Sequence, residues 1–187
     1  MPTRRIVLAA LALVASWASP GVASEEAAWD ALREPGTVVL FRHALAPGGG
    51  DPRGMRLDDC ATQRNLNRAG RDQARRIGAA FRMRGIEVGA VLTSRWCRCR
   101  ETAELAFPGQ AEPELAFDSF FSDRSAGPQR TAAAQAVLDA WEGPGALFVS
   151  THFVNVSALT GIGPASGEGV VLRRGGAGWE VVGRIAP

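Results

Sequence analysis

A three-layer α/β/α sandwich around a largely parallel sheet is the fold this sequence predicts, and three observations carry it. Short apolar runs at residues 37–42, 88–93 and 146–151 are rich in Val, Leu and Ala and read as interior strands covered on both faces. Helix-length stretches separate them, as they must where parallel strands are joined by crossovers. Each run ends abruptly in polar residues: Arg42 and His43, Ser94, and His152. Ligands of such sheets bind outside the carboxyl ends of the strands. Both histidines of the chain therefore fall on the edge where a site is expected.

Taken in order, residues 24–35 read as a short helix or lead-in with Trp29 and Leu32 available to dock, and 37–42 is the first strand. Residues 44–59, with Gly48-Gly49-Gly50 and two prolines at their centre, are a loop. Asn67 is an N-cap candidate. From Leu66 the small or apolar positions Gly70, Ala74, Ile77 and Phe81 recur at helical spacing. Arg71, Asp72, Arg75, Arg76 and Arg82 fall mainly opposite, which predicts a surface helix to about Arg84, stopped by Gly85.

After the strand at 88–93, a helix is expected over 96–107, halted by Pro108-Gly109. Residues 112–125 read as a short strand and an exposed loop, and 129–141 as a helix broken by Gly143-Pro144-Gly145. The third interior strand, 146–151, is followed by a short helix over 154–159. A C-terminal hairpin, 170–172 with 179–185, is expected to turn around Gly175-Gly176.

The N-terminus reads as a processing signal. Arg4 and Arg5 precede an uncharged Ala/Leu/Val-rich stretch, and Gly21 and Ala23 suit cleavage after Ala23, giving a signal peptide 1–23 and one mature domain 24–187. Ser16, Ser19, Pro20 and Gly21 weaken the alternative, a retained membrane anchor. Export, in the periplasm of a bacterial cell, with no membrane insertion after cleavage, is the expectation.

All 21 basic residues are arginine. Without lysine there is no Schiff-base or pyridoxal chemistry and no phosphate loop with its amine. Any anion must be held by arginine, histidine or backbone N–H groups. Removing Arg4 and Arg5 leaves the remaining domain near neutrality, which does not indicate a nucleic-acid surface. The three cysteines, Cys60, Cys97 and Cys99, fit no zinc-finger or ribbon spacing, and no metal is expected. In an oxidising compartment one disulfide is expected, from Cys60 to Cys97 or Cys99.

Arg42, His43, an arginine after Ser94 and His152 ask for one explanation. Positioned cations around equatorial oxygens are what phosphoryl transfer mainly requires, and guanidinium forks match those oxygens in pairs. A neutral imidazole attacking phosphorus in line divides one hard displacement into two.

At this point the chain resembles the histidine phosphatase superfamily, the phosphoglycerate-mutase-like phosphatases. The signature Arg-His-Gly appears as Arg42-His43-Ala44, keeping both chemical residues. The pattern Ser-Pro-x-x-Arg-Ala-x-x-Thr-Ala is similar to residues 94–103 and nominates Arg98 over Arg95 and Arg100. Leu66, Gly70, Gln73 and Ala74 meet a third pattern, and a strand ending in His152 is the fourth. The resemblance implies a phosphoglycerate-mutase-like fold, His43 as nucleophile, and Arg42, Arg98 and His152 as phosphate ligands, without cofactor.

The proton donor has no diagnostic motif. Asp118 is the nearest candidate acid, with Glu114 and Asp123 behind it. Arg64 and Asn65 are candidates for substrate contacts, while Asp58 and Asp59 are available to pair with arginines of the empty pocket. The expected activity is hydrolysis of a small-molecule or cell-envelope phosphate ester. The alternative is a relative that binds phosphate without an effective acid.

Overall fold

The computed structural model describes residues 24–187, so the expected signal peptide 1–23 lies outside the described residues. Six strands form one sheet in the order β3-β2-β4-β1-β5-β6. Strands β1 (Val38–Arg42), β4 (Ala146–Thr151), β2 (Val88–Thr93) and β3 (Ala111–Pro113) run parallel. The hairpin β5 (Gly169–Gly175) and β6 (Gly178–Ile185) adds antiparallel to the free side of β1. Gly175 pairs with Gly178, so the hairpin turns at Gly176-Ala177, one residue later than the glycine pair suggests.

Helices α1 (Glu25–Ala31), α2 (Arg68–Met83) and α3 (Cys97–Ala106) lie with one face of the sheet, and α4 (Gly127–Asp139) and α5 (Phe153–Thr160) with the other. The side-chain period of two divides β1 between the layers. Val39 and Phe41 join Trp29, Ile77, Phe81 and Phe148, whereas Val38 and Leu40 join Phe117, Leu138, Leu147 and Val149. That two-sided burial is why the strand reads as a continuous apolar run. Both layers of the expected sandwich are present.

Local signals act where the sequence places them. Asn67 caps α2 by accepting from the Gly70 amide at 2.8 Å, and Gly85 follows its end with φ 61°. Two helical glycines permit close backbone packing. A Cβ on Gly70 would stand 2.1 Å from the Leu45 carbonyl oxygen, and one on Gly78 2.0 Å from that of Ala106. Gly70 thereby lets α2 rest against the chain just beyond His43, and Gly78 seats α2 against α3. No described helix is long and apolar enough to cross a membrane.

Candidate active site

The parallel strands β1, β2 and β4 end side by side, and their first residues beyond the sheet build the pocket. The Ser94 amide donates to Ser150 and the His43 amide to Thr151, locking the three strand exits in register. Arg42, His43, Arg64, Arg98 and His152 line one cavity of about 190 Å³ with Gly48, Gly49, Gly50 and Asp51.

His43 is 2 % exposed, and its Nδ1 lies 2.8 Å from the Ala44 carbonyl oxygen. A carbonyl only accepts, so Nδ1 carries the proton and Nε2 keeps its lone pair. Ala44 is itself held, its amide donating to Thr102 Oγ1 at 3.0 Å. Burial first, then the charge of Arg98, lowers the imidazole pKa to about 3. The ring is therefore neutral at physiological pH, with the Nε2 lone pair free.

His152 stands beside it, the ring centroids 5.6 Å apart. Its Nδ1 faces Arg98 Nη2 at 3.4 Å and its Nε2 faces Ser94 Oγ at 2.8 Å. Because guanidinium can only donate, Nδ1 is the acceptor and Nε2–H donates to Ser94. Burial, followed by Arg98, holds His152 well below the ordinary histidine pKa. The indole of Trp96 packs edge-on against the same ring at 5.3 Å.

Arg98 is buried in the first turn of α3. A side chain from the distant loop caps that helix: Gln63 Oε1 accepts from the Cys97 amide at 3.0 Å. Cys97 is also joined to Cys60 by a disulfide, so one of the two pairings left open by the sequence is the one formed. Cys99 remains a buried free thiol, 3.4 Å from His152 Nε2, its pKa raised to about 12 by desolvation. Arg42 donates to the Pro164 carbonyl at 3.2 Å and lies over the Phe153 ring. Burial, and then the neighbouring Arg98, depress its pKa, as crowding of guanidinium groups in a partly buried pocket does.

The remaining sequence candidates divide. Arg64 joins the pocket, its Nε donating to the Gly50 carbonyl at 2.8 Å and Nη1 to that of Ala46, which braces the glycine-rich loop. Asn65 does not. Its amide donates to the Cys60 carbonyl at 2.6 Å, and it lines a different cavity beside the disulfide. One residue of extended loop reverses the side on which a side chain emerges.

Asp118 is 1 % exposed and sits behind His152, not among the cavity-lining residues. Its Oδ1 accepts from the Arg95 amide at 2.9 Å and from Ser94 Oγ at 3.3 Å, and its Oδ2 accepts from Arg95 Nε at 2.7 Å. Glu114 and Asp123 are occupied as caps of short 3₁₀ turns. Asp58 and Asp59 pair with Arg56 on the surface, not with the pocket.

The carboxylate that does enter is Asp51, which the sequence shows only as part of the loop 44–59. Its Oδ1 is 2.5 Å from Arg98 Nη1, and its Oδ2 is 3.1 Å from Arg98 Nη2 and 3.0 Å from Trp96 Nε1. Its position directly after a glycine run is its one local mark; its meeting with Arg98, 47 positions away, is set by the fold. Sequence reasoning also missed Thr102 and Gln63 as braces and Phe121 and Phe153 at the pocket mouth, where they are 53 % and 46 % exposed.

Two buried histidines and three arginines gather at the carboxyl edge of a mostly parallel sheet, a cationic pocket of the class that suits an anion. The profile of the histidine phosphatase superfamily (branch 1) matches residues 38–144, more than half of the chain, and the chain belongs to that superfamily. No curated protein matches its sequence.

Among solved structures it is similar to the protein histidine phosphatase SixA complexed with tungstate, at 18% identity and TM-score 0.56, over 81% of this chain and 97% of that one. It is similar to the mycobacterial glucosyl-3-phosphoglycerate phosphatase at 12% identity and TM-score 0.58, over 81% and 99% of the two chains. A phosphoserine phosphatase mutant from Entamoeba histolytica, in complex with phosphoserine, matches at 9% identity and TM-score 0.57, over 79% and 95%. At such identities the likeness is one of fold, a phosphoglycerate-mutase-like α/β/α sandwich.

Proposed function

We propose that the chain is an exported phosphomonoesterase that works through a phosphohistidine on His43, in a single domain spanning residues 24–187 behind a cleaved leader. The observation that carries this reading is the fixed tautomer of His43. With Nδ1–H committed to Ala44 and the ring neutral, Nε2 offers its lone pair to a cavity lined by Arg42, Arg64, Arg98 and His152.

In the mechanism, the phosphoryl oxygens take the place of solvent between the guanidinium groups, which neutralise them and turn phosphorus toward His43. Nε2 attacks, the bond to the leaving oxygen breaks, and the Ala44 carbonyl stabilises the positive imidazole that forms. Water then attacks the P–N bond, releasing inorganic phosphate and returning the lone pair to Nε2. His152, oriented by Ser94 and Asp118, holds Arg98 through Nδ1 and meets the phosphoryl group at that nitrogen once the incoming anion takes over Arg98 and brings a proton to the ring. Asp118 is assigned this positioning role because both of its oxygens are engaged away from the cavity.

Three of the similar structures bear names of enzymes acting on phosphohistidine, phosphoserine or a phosphorylated glycoside, which supports a phosphate ester or phosphoramidate as substrate class. The exposed rings of Phe121 and Phe153 at the mouth favour a leaving group with an apolar face. The Cys60–Cys97 bridge supports an oxidising compartment such as the periplasm. The observation that favours the alternative, a phosphate-binding relative without an effective acid, is that Asp118 is engaged by Ser94 and Arg95 away from the cavity.

Purified protein incubated with p-nitrophenyl phosphate, with and without chelator, tests the reading. Chelator-insensitive release of nitrophenol that disappears in His43→Ala, together with an acid-labile phosphoprotein trapped during turnover, is the expected result. Undiminished turnover by a folded His43→Ala protein would end the phosphohistidine mechanism.

A further inference from the structure

We propose that Asp51 is the proton donor of the reaction, stored as the counter-ion of Arg98 until an incoming phosphoryl group displaces it. The inference rests on the phosphatase reading above and assigns the proton-transfer step within that same site.

Asp51 is the only carboxylate among the described residues that line the His43 cavity. It grips both terminal nitrogens of Arg98, two oxygens against two N–H donors, which is the geometry a phosphoryl group uses on a guanidinium fork. Arg98 is almost wholly buried and its Asp51 partner is 19% exposed, so the carboxylate is the half of the pair that solvent reaches. A phosphoryl group cannot engage the same two donors while the carboxylate holds them. A phosphoryl group clamped simultaneously by Arg42 and Arg64 wins that competition over a carboxylate held only by Arg98 and Trp96.

Displacement does not release Asp51 to solvent. Trp96 Nε1 holds Oδ2 independently of Arg98, and Arg64 fixes the Gly50 carbonyl one residue earlier. Gly48 and Gly50 have φ of 94° and 70°, and Gly49 stands between them, so the segment before Asp51 has the backbone freedom for a small withdrawal. The carboxylate therefore stays beside the bound ester.

Two negative groups in one small cavity then share a proton, since both cannot stay ionised at that separation. The second ionisation of a phosphate group is near pH 6, so the ester carries that proton in as its monoanion and passes it to the carboxylate. As His43 Nε2 forms its bond to phosphorus and the P–O bond breaks, Asp51 gives the proton to the leaving oxygen and the alcohol departs. The resulting carboxylate takes a proton from the water that attacks the P–N bond and passes it to the departing phosphate, which leaves His43 neutral and Asp51 ionised to return to Arg98. Arg98, which depressed the Asp51 pKa in the empty pocket, no longer does so while it holds the phosphoryl group.

The test compares wild type, Asp51→Asn and Asp51→Glu in two measurements. In the first, tungstate binding is titrated by calorimetry. Asp51→Asn is expected to bind at least fivefold more tightly, because the competing anion is gone. In the second, kcat is measured on p-nitrophenyl phosphate, whose leaving group needs no proton, and on an alkyl phosphate, whose leaving group does.

The alkyl-to-aryl ratio of kcat is expected to fall at least 100-fold in Asp51→Asn, in line with the loss of a general acid, and to recover in part in Asp51→Glu. Unaltered tungstate affinity, or an unaltered ratio while the wild type turns over both esters, overturns the assignment of Asp51 and leaves the phosphatase reading standing. Tungstate binding without turnover of either ester by the wild type removes the hydrolase reading, and the proton-donor role with it.

Discussion

Ser94 Oγ lies 2.8 Å from His152 Nε2 and passes its own proton toward Asp118 Oδ1 at 3.3 Å, so a strand-end serine connects a buried histidine to a buried carboxylate. Residues just beyond β2, the 3₁₀ turn at Leu115–Phe117 and β4 thus form one hydrogen-bonded chain that orients the His152 ring. Replacing Ser94 with Ala leaves the His152 N–H without its hydroxyl acceptor, a loss of about 1–3 kcal/mol. The expected outcome is a fall in kcat/KM of roughly 5- to 160-fold, the same energy expressed as a rate.

Asp118→Asn is expected to act through the same chain. Because Asp118 touches the cavity only through Ser94, its replacement should lower turnover of alkyl and aryl phosphates by the same factor. It should also lower stability by about 1–3 kcal/mol, since the buried acceptor for the Arg95 amide and guanidinium is weakened. Parallel rate measurements on the two ester classes, with urea unfolding, check both parts. A selective loss on alkyl esters would return Asp118 to the acid role.

The disulfide Cys60–Cys97 closes a span of 37 residues that contains all of α2. In the chain-entropy model a cross-link of that length stabilises the fold by about 3–4 kcal/mol. It also anchors the residue before Arg98 to the loop side of the pocket. Urea unfolding with and without dithiothreitol is expected to show that loss, and Cys60→Ser should reproduce it with raised KM for the phosphate ester.

Both site histidines have pKa values lowered by folding, His43 to about 3 and His152 well below the ordinary value. Below pH 6.5 the unfolded chain therefore binds protons that the folded one does not, and stability falls as pH falls. Between pH 6.5 and 5 each histidine contributes a slope of up to about 1.4 kcal/mol per pH unit. The contribution is fully present above the unfolded pKa and is lost progressively toward pH 3 for His43. Unfolding free energies of wild type and His43→Asn, measured across that window, should differ in slope by close to one proton.

Gly70 and Gly78 separate the function of α2 from its packing. A methyl group on either meets a carbonyl oxygen closer than any Cβ tolerates, and overpacking of this kind costs about 1–3 kcal/mol. Gly70→Ala presses on Leu45, two residues beyond His43, and is expected to lower both stability and kcat. Gly78→Ala presses on Ala106 at the far end of α3, and is expected to lower stability with kcat retained. Thermal unfolding and p-nitrophenyl phosphate assays distinguish the two.

Periodicity and local chemistry made most of the fold legible. The two-sided apolar runs marked β1, β2 and β4, the helical spacing of Gly70, Ala74, Ile77 and Phe81 marked α2, and Asn67 and Gly85 marked its ends. These signals are written locally because burial on both faces and helix capping constrain residues within a few positions of each other. The alternation of strands and helices then implied parallel pairing, and parallel pairing implied that Arg42, His43, Ser94 and His152 share one edge.

The roles of the acidic residues were decided only by the tertiary structure. Nothing in the sequence distinguishes Asp51, Asp58, Asp59 and Asp118 by type, and each follows or precedes plausible turn residues. What separates them is the direction in which a loop delivers each carboxylate and the cation waiting there. Arg98 meets Asp51 across 47 positions, Arg95 meets Asp118 across 23, and Arg56 meets Asp59 across 3. The choice of Cys97 over Cys99 has the same origin, since residues two apart in a helix face different ways. Which charges meet is set by how the chain is brought together in space, and that is the information local patterning does not contain.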